Sequence, residues 1–447
     1  MNFLDKLVIP LSPEHIALLH YIAILVFFLF VPFISMVLGG TVLSLFYRRK
    51  GLKESNHYFL HFAKDAIEIV TINTSMGIVL GILTLITSIL IFVQMFHTAN
   101  LVTVSFLTGA VVLVTIGLIL IYTYRYSFSF SELFNSIKEY HSGDEEVAEE
   151  LIRFREKSIR LSSTSGRFGL LFLAAGIWLF VSGLTIAAFP GEWGKQGFFS
   201  ILFSWDVIFK MISFILAACA FTGGVILFMF FYWDGGRKNI DESYKEFVSR
   251  KAIYLTAIGT VILPVFLWIN TVYIPNGAMS YSVFAYIVIA LLLLFLGCHY
   301  LYVMYKSKTV KYSGHIFLVV LLTIMALVIK DQLVIGNATR KQSEILSANF
   351  EQVMQKLTSS GAAPKISGEE IYKNICSACH SFDHKVVGPP YKQTLPKYHD
   401  DVDKLVKFIL NPTQNNPGYP PMPNPGLRPD QARAVATYIL KEVKKYE

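Results

Sequence analysis

Cys376-Ser377-Ala378-Cys379-His380 is a C-x-x-C-H run, the attachment pattern of c-type haem. Two residues between the cysteines let both thiols add across the vinyl groups of one porphyrin, and the next position brings an imidazole under the iron. A bare C-x-x-C also serves redox dithiols and halves of zinc sites. Here the histidine follows directly, and no second cysteine pair exists to complete a zinc site. The reading is one covalent haem c on Cys376 and Cys379, with His380 on the iron. The remaining cysteines, Cys219 and Cys298, lie in apolar runs and read as buried, inert thiols.

Outward from that motif the chain reads as membrane. Of its 447 residues 54% are hydrophobic and only 16% charged, against about 25% charged in soluble domains. Eight apolar runs, at 15–46, 58–96, 100–124, 168–189, 199–232, 252–272, 282–305 and 312–337, reach the ~20 residues a helix needs to cross a bilayer. The connections 47–57, 125–167, 234–251 and 306–311 hold 19 Lys and Arg, and the alternate segments 1–14, 97–99, 190–198 and 273–281 hold 2. That bias puts the basic loops in the cytoplasm and the N-terminus outside. Eight crossings then return everything after residue 338 to the outside. Haem c is attached on that side of the bacterial inner membrane, so the expectation is a multi-pass chain with a periplasmic haem domain. The net charge of +8 belongs to the cytoplasmic loops and not to nucleic-acid binding. The largest of those loops runs from Asp144, Glu145, Glu146, Glu149 and Glu150 to Arg153, Arg155, Lys157 and Arg160. Opposite charges three to four apart read as a solvated helical hairpin.

Ionisable groups inside a membrane are costly and so are candidates for function. In the second run His61, Lys64, Asp65 and Glu68 share one helical face. At a similar cytoplasmic depth lie His299 and His315, so two of His61, His299 and His315 are candidate ligands of a b-type haem. His15, His20 and His97 form a second such set on the outer side. Asp206 and Lys210, four apart, read as an ion pair, with a quinone or proton site as the alternative. Lys330 and Asp331 read as membrane-boundary residues. Trp193, Trp205 and Trp233 fall near run ends, as interface anchors do.

The first ~125 residues distantly resemble subunit I of the cytochrome bd quinol oxidases. The likeness lies in Phe28-Leu29-Phe30-Val31-Pro32, in Ile72-Asn73 followed by Gly77 and Gly81, and in the outside N-terminus. The chain departs from the family where haem and oxygen chemistry sit. Phe27 occupies the position of a haem-ligand histidine, the fourth run has no histidine, the third lacks carboxylates, and no long outer loop follows. The resemblance therefore implies a shared scaffold rather than oxygen reduction.

Residues 339–365 read as a stalk with helical spacing through Phe350, Val353 and Leu357, broken by the hinge Ser359-Ser360-Gly361-Ala362-Ala363-Pro364. From 366 to 447 the chain resembles class I cytochrome c. Gly368 and Tyr372 precede the haem motif, and a terminal helix over 429–445 places Tyr438 and Leu440 inward. Val387-Gly388-Pro389-Pro390 matches the loop whose Pro389 carbonyl accepts the proximal histidine's Nδ–H. Met422, in Tyr419-Pro420-Pro421-Met422-Pro423, is the methionine that follows the motif and the expected second axial ligand, with His399 as rival and His384 at the surface. Met/His ligation closes both axial positions and raises the reduction potential, which suits single-electron transfer. Charges from 366 onward number 11 basic and 9 acidic, so they give no sign for a partner.

The expected architecture is all-α: an eight-helix transmembrane bundle over 1–338, a stalk over 339–365 and a small all-α class I cytochrome c domain over 366–447. The expected role is a membrane-anchored electron carrier between a quinol-linked complex and a periplasmic cytochrome or other redox partner, alongside further membrane subunits. Two alternatives stand beside it: a quinol-oxidising membrane module with haem b, and a scaffold that merely carries the cytochrome.

Overall fold

The computed structural model describes residues 11–96, 99, 101–138, 145–195, 197–237, 240–359, 367–398, 401–413 and 418–446. Among them the regular structure is helical and contains no strand. The chain divides into two compact units, residues 1–348 and 349–447.

The first unit begins with α1 (Pro13–Glu54). The Ser12 hydroxyl caps it by accepting from the His15 N–H at 3.2 Å, and Pro13 fills a position whose N–H has no helical partner. The helix runs through Pro32 and ends where Ser55 turns left-handed at φ 51°. It is followed by α2 (His57–Val70), α3 (Thr74–Met95), α4 (Leu101–Lys138), α5 (Glu145–Ala187), α6 (Trp205–Phe231), α7 (Glu242–Val272), α8 (Tyr281–Lys306) and α9 (Ser313–Ala338). Eight of these nine, all but α2, contain stretches long and apolar enough to cross a membrane, and the chain is a multi-pass membrane protein. α4 packs along α5, α6 along α7 and α8 along α9, while α1 lies against α3, α6 and α9. Buried Phe30, Ile34, Leu85, Ile177 and Ile226 fill the centre, and Leu25, Ile119, Leu292 and Phe295 point outward, as lipid-facing positions do.

The second apolar run is not one helix. α2 stops at Val70, and Asn73 restarts the chain by accepting from the Ser75 N–H at 2.9 Å. The carbonyls freed at the break are taken up by α4: Arg125 donates to Thr71 and Ile72, and the Tyr122 hydroxyl donates to Asn73 at 2.8 Å. α3 then passes through a wider π-type stretch at Gly77–Leu83 before resuming α geometry. With 22 residues α3 is long enough to span alone. The polar face of α2 therefore precedes the span, which corrects the expectation of ionisable groups within a membrane-crossing second helix.

α4 and α5 outlast their apolar stretches. At 1.5 Å per residue the 43 residues of α5 reach about 65 Å, twice the hydrocarbon thickness, so the expected helical hairpin is an extension of the spans themselves. Asp144 of its acidic cluster lies outside the described residues.

α10 (Arg340–Ser359) occupies the segment expected as a stalk, and the division between the units falls within it. The hinge expected after it, from 360 onward, lies outside the described residues. In the second unit α11 (Gly368–Ile371) continues into a π-type turn at Tyr372–Cys376, and α12 (Val402–Leu410) and α13 (Pro429–Val443) follow. α11 and α12 both pack on α13, whose Ala432, Val435, Ala436, Ile439 and Leu440 are buried.

Candidate functional site

Two gatherings of polar groups in the membrane unit bear on the expected sites. The first is at α2. Asp65 is buried and accepts hydrogen bonds from Arg237 Nη1 at 2.8 Å, the Tyr244 hydroxyl at 2.7 Å and His61 Nδ1 at 3.1 Å. Burial opposes its ionisation, but the donors from His61, Tyr244 and Arg237 prevail and hold the carboxyl below its ordinary range. The network ties α2 to the loop after α6 and to the first turn of α7.

The histidines expected to hold haem b have the following neighbours among the described residues. His61 is committed to Asp65, on a helix packed mainly against α1. His299 and His315 are exposed on α8 and α9, each beside Tyr300. His15 bonds Gln94 at 2.9 Å, His20 lies against Gly336 of α9, and His97 is outside the described residues. Phe27 is buried edge-on against Phe180, with centroids 5.5 Å apart, and 6.1 Å from Phe92. Aromatic packing fills that position.

The second gathering was missed as a unit in the sequence. A cavity of about 120 Å³ within the bundle is lined by Phe27, Phe180, Leu267 and Ile324 and, at its polar end, by Lys210 and Gln332. Lys330 is buried there and pairs with Asp331 at 2.8 Å, so it is no boundary residue. The expected Asp206–Lys210 ion pair does not form among the described residues. Both instead border a smaller adjoining space with Lys330 and Asp331. These residues come from α6 and α9, more than a hundred positions apart, and no local spacing could join them.

The second unit builds its site around the C-x-x-C-H turn. Ser367 caps α11 by accepting from the Glu370 N–H at 3.3 Å. Gly368 then meets α13 so closely that a Cβ there would lie 2.2 Å from the Ala434 carbonyl oxygen, while Tyr372 packs on Tyr438 at 5.8 Å. The motif closes as a tight turn, with the His380 N–H bonded to the Cys376 carbonyl at 2.9 Å. Gly388 donates to the Cys379 carbonyl at 2.7 Å, which brings the 387–390 loop across the imidazole. A Cβ on Gly388 would fall 2.4 Å from His380 Cε1, so only glycine fits.

His380 Nδ1 lies 3.0 Å from the Pro389 carbonyl oxygen. A carbonyl only accepts, so Nδ1 carries the proton and Nε2 keeps its lone pair for a metal. The ring stacks on Tyr391, centroids 5.0 Å apart and 10° from parallel. Beside it opens a cavity of about 300 Å³ lined by His380, Pro389, Leu405, Ile409, Tyr419 and Met422. The imidazole and the thioether thus border one largely apolar space, and Cys376 and Cys379 stand half-buried at the same turn. Burial raises the Cys376 thiol above its ordinary range and pushes the Tyr391 phenol far up, as a poorly solvated lining does. This donor set fits a haem: two thiols at vinyl spacing, a nitrogen with a fixed tautomer and a soft sulfur. His384 is at the surface, bonded to Asp383 and Ser381, and His399 lies outside the described residues.

The comparisons with known proteins agree with that geometry. The family model for cytochrome c matches residues 366–442. Cytochrome c-551 of Pseudomonas denitrificans is 36% identical over 78 residues, covering 17% of this chain and 95% of that protein. Cytochrome c-551 of Azotobacter vinelandii is 35% identical with the same coverage. Cytochrome c-551 of Pseudomonas aeruginosa is 35% identical over 17% of this chain and 75% of that protein. No solved structure matches the chain. Through its C-terminal unit, which carries haem c and transfers electrons, the chain belongs to the cytochrome c family.

Proposed function

We propose that this chain is a membrane-anchored monohaem cytochrome that passes single electrons between a quinol-linked membrane complex and a periplasmic partner. In this reading residues 1–338 are the anchor, 339–365 the stalk and 366–447 the haem domain. Cys376 and Cys379 hold the porphyrin, His380 and Met422 ligate the iron, and the Pro389 carbonyl fixes the imidazole. The observation that carries it is the His380 Nδ1 to Pro389 contact of 3.0 Å on the wall of the cavity that Met422 also lines. When bound, the haem supplies one reversibly held electron. With haem bound, His380 and Met422 would hold the iron, and the lining residues would shield the ring from water and keep those side chains still, so that little would reorganise on electron transfer. The basic-loop bias, with an even number of crossings, supports a periplasmic haem domain in a bacterial inner membrane.

A pyridine haemochrome spectrum of the purified protein, with haem counted per chain, tests this reading. One haem c and no haem b is expected. A second reading, a bd-like module that itself oxidises quinol through haem b, draws on the buried charges around Lys210 and Lys330. It requires haem b in that spectrum.

A further inference from the structure

We propose that the intramembrane cavity between α1, α5, α6, α7 and α9 is a binding site for the headgroup of a quinone, held by Lys210 and Gln332. The inference rests on the quinol-linked reading above and gives that reading a place in the chain. Its first support is an excess of polar capacity. Lys210 makes no ion pair or hydrogen bond among the described residues, yet its side chain borders the cavity. Gln332 is only 4% exposed, also borders the cavity and has no hydrogen-bonding partner among the described residues. Gln332 is buried and Lys210 half-buried, so both keep hydrogen-bonding capacity that faces the cavity, and polar groups in an apolar surrounding are costly to leave without partners, which points to a ligand that completes them.

The chemistry of that ligand follows from shape and charge. The rest of the lining, including Phe27, Phe180, Leu267 and Ile324, is apolar. A cavity of about 150 Å³ with such a lining admits benzene, so about 120 Å³ is of single-ring size rather than the size of a whole lipid, and the side arm of a quinone has to leave between the helices. Lys330 is already neutralised by Asp331, and Lys210 lies within electrostatic reach of both Asp331 and Asp206. The cluster therefore has no surplus positive charge to favour a phosphate or carboxylate. It offers N–H donors at one end of an apolar slot, which suits a neutral ring whose carbonyl oxygens accept. The Asn270 amide already donates to Ser213 at 2.6 Å and stiffens that end of the slot.

The test uses the full-length, haem-loaded protein in lipid nanodiscs and an azido derivative of decylubiquinone as photolabel, with unlabelled decylubiquinone titrated calorimetrically. The expected result is saturable binding near one per chain and adducts on α6 and α9 around Lys210 and Gln332. Lys210→Met and Gln332→Leu should each weaken binding about tenfold or more while the haem c spectrum stays unchanged. Adducts confined to other helices, affinity unchanged in both variants, or displacement of the label by phosphatidylglycerol but not by decylubiquinone would each overturn the site. Reduction of haem c by decylubiquinol in native membranes tests the broader reading separately. Reduction without labelling at α6 and α9 sinks only the site; labelling there without reduction leaves the site standing and sinks the reading.

Discussion

At the scale of single residues one close approach governs the haem pocket. Gly388 stands against the imidazole of His380 because a Cβ would sit 2.4 Å from Cε1. Gly388→Ala should push the ring off the Pro389 carbonyl, and the expected outcome is reduced haem per chain with an altered axial-ligand spectrum. Met422 is the sulfur on the cavity wall. Met422→Ala should open a coordination position, seen as carbon monoxide binding by the reduced protein, and Met422→His should lower the reduction potential in a redox titration. Asp65 shows the same logic in the other unit. Its carboxyl ionises more readily folded than unfolded, so its stabilising effect is complete above the unfolded pKa, about 4, and is lost as pH falls through the lower folded value. Asp65→Asn should cost roughly 1–3 kcal/mol at neutral pH and flatten the acid limb of a melting-temperature profile, read by circular dichroism in detergent.

At the scale of elements, the break between α2 and α3 shows where hydropathy misleads. Residues 58–96 form a continuous apolar run, yet Asn73 caps a new helix and Arg125 and Tyr122 satisfy the carbonyls left behind. Spacing cannot reveal that, because the donors arrive from α4, about fifty positions on. Asn73→Ala removes the cap and should lower stability by about 1 kcal/mol, measurable as a lower melting temperature. The contact of α11 with α13 was legible, by contrast, because a small residue and an aromatic at Gly368 and Tyr372 are local features that a long-range packing need leaves in sequence. Gly368→Ala puts a methyl 2.2 Å from the Ala434 oxygen. It should cost about 1–3 kcal/mol, seen as earlier loss of the haem signal on urea titration.

At the scale of the whole molecule, the chain joins a cytochrome c unit to a bundle of eight helices long and apolar enough to cross a membrane, with buried charges at Asp65 and at Lys330. Reporter fusions should place residue 345 outside and residue 240 inside the inner membrane; the reverse arrangement would contradict the basic-loop argument and leave the haem motif in a compartment where it is not attached.

The amino-acid sequence by itself determined the fold class with its eight apolar spans, and it named the candidate haem-binding residues. Each depends on short-range chemistry: the length of an apolar run, the vinyl spacing of Cys376 and Cys379, the adjacency of His380, and a rigid proline loop around Met422. Only the tertiary structure decided which polar groups act together. It bound Asp65 to His61, Arg237 and Tyr244, set His299 and His315 exposed beside Tyr300, and placed Lys330 and Lys210 on one largely apolar cavity. Those meetings depend on how α2, α6, α7 and α9 turn their faces toward one another. That rotation is set by packing across the bundle and leaves no periodic trace along the chain.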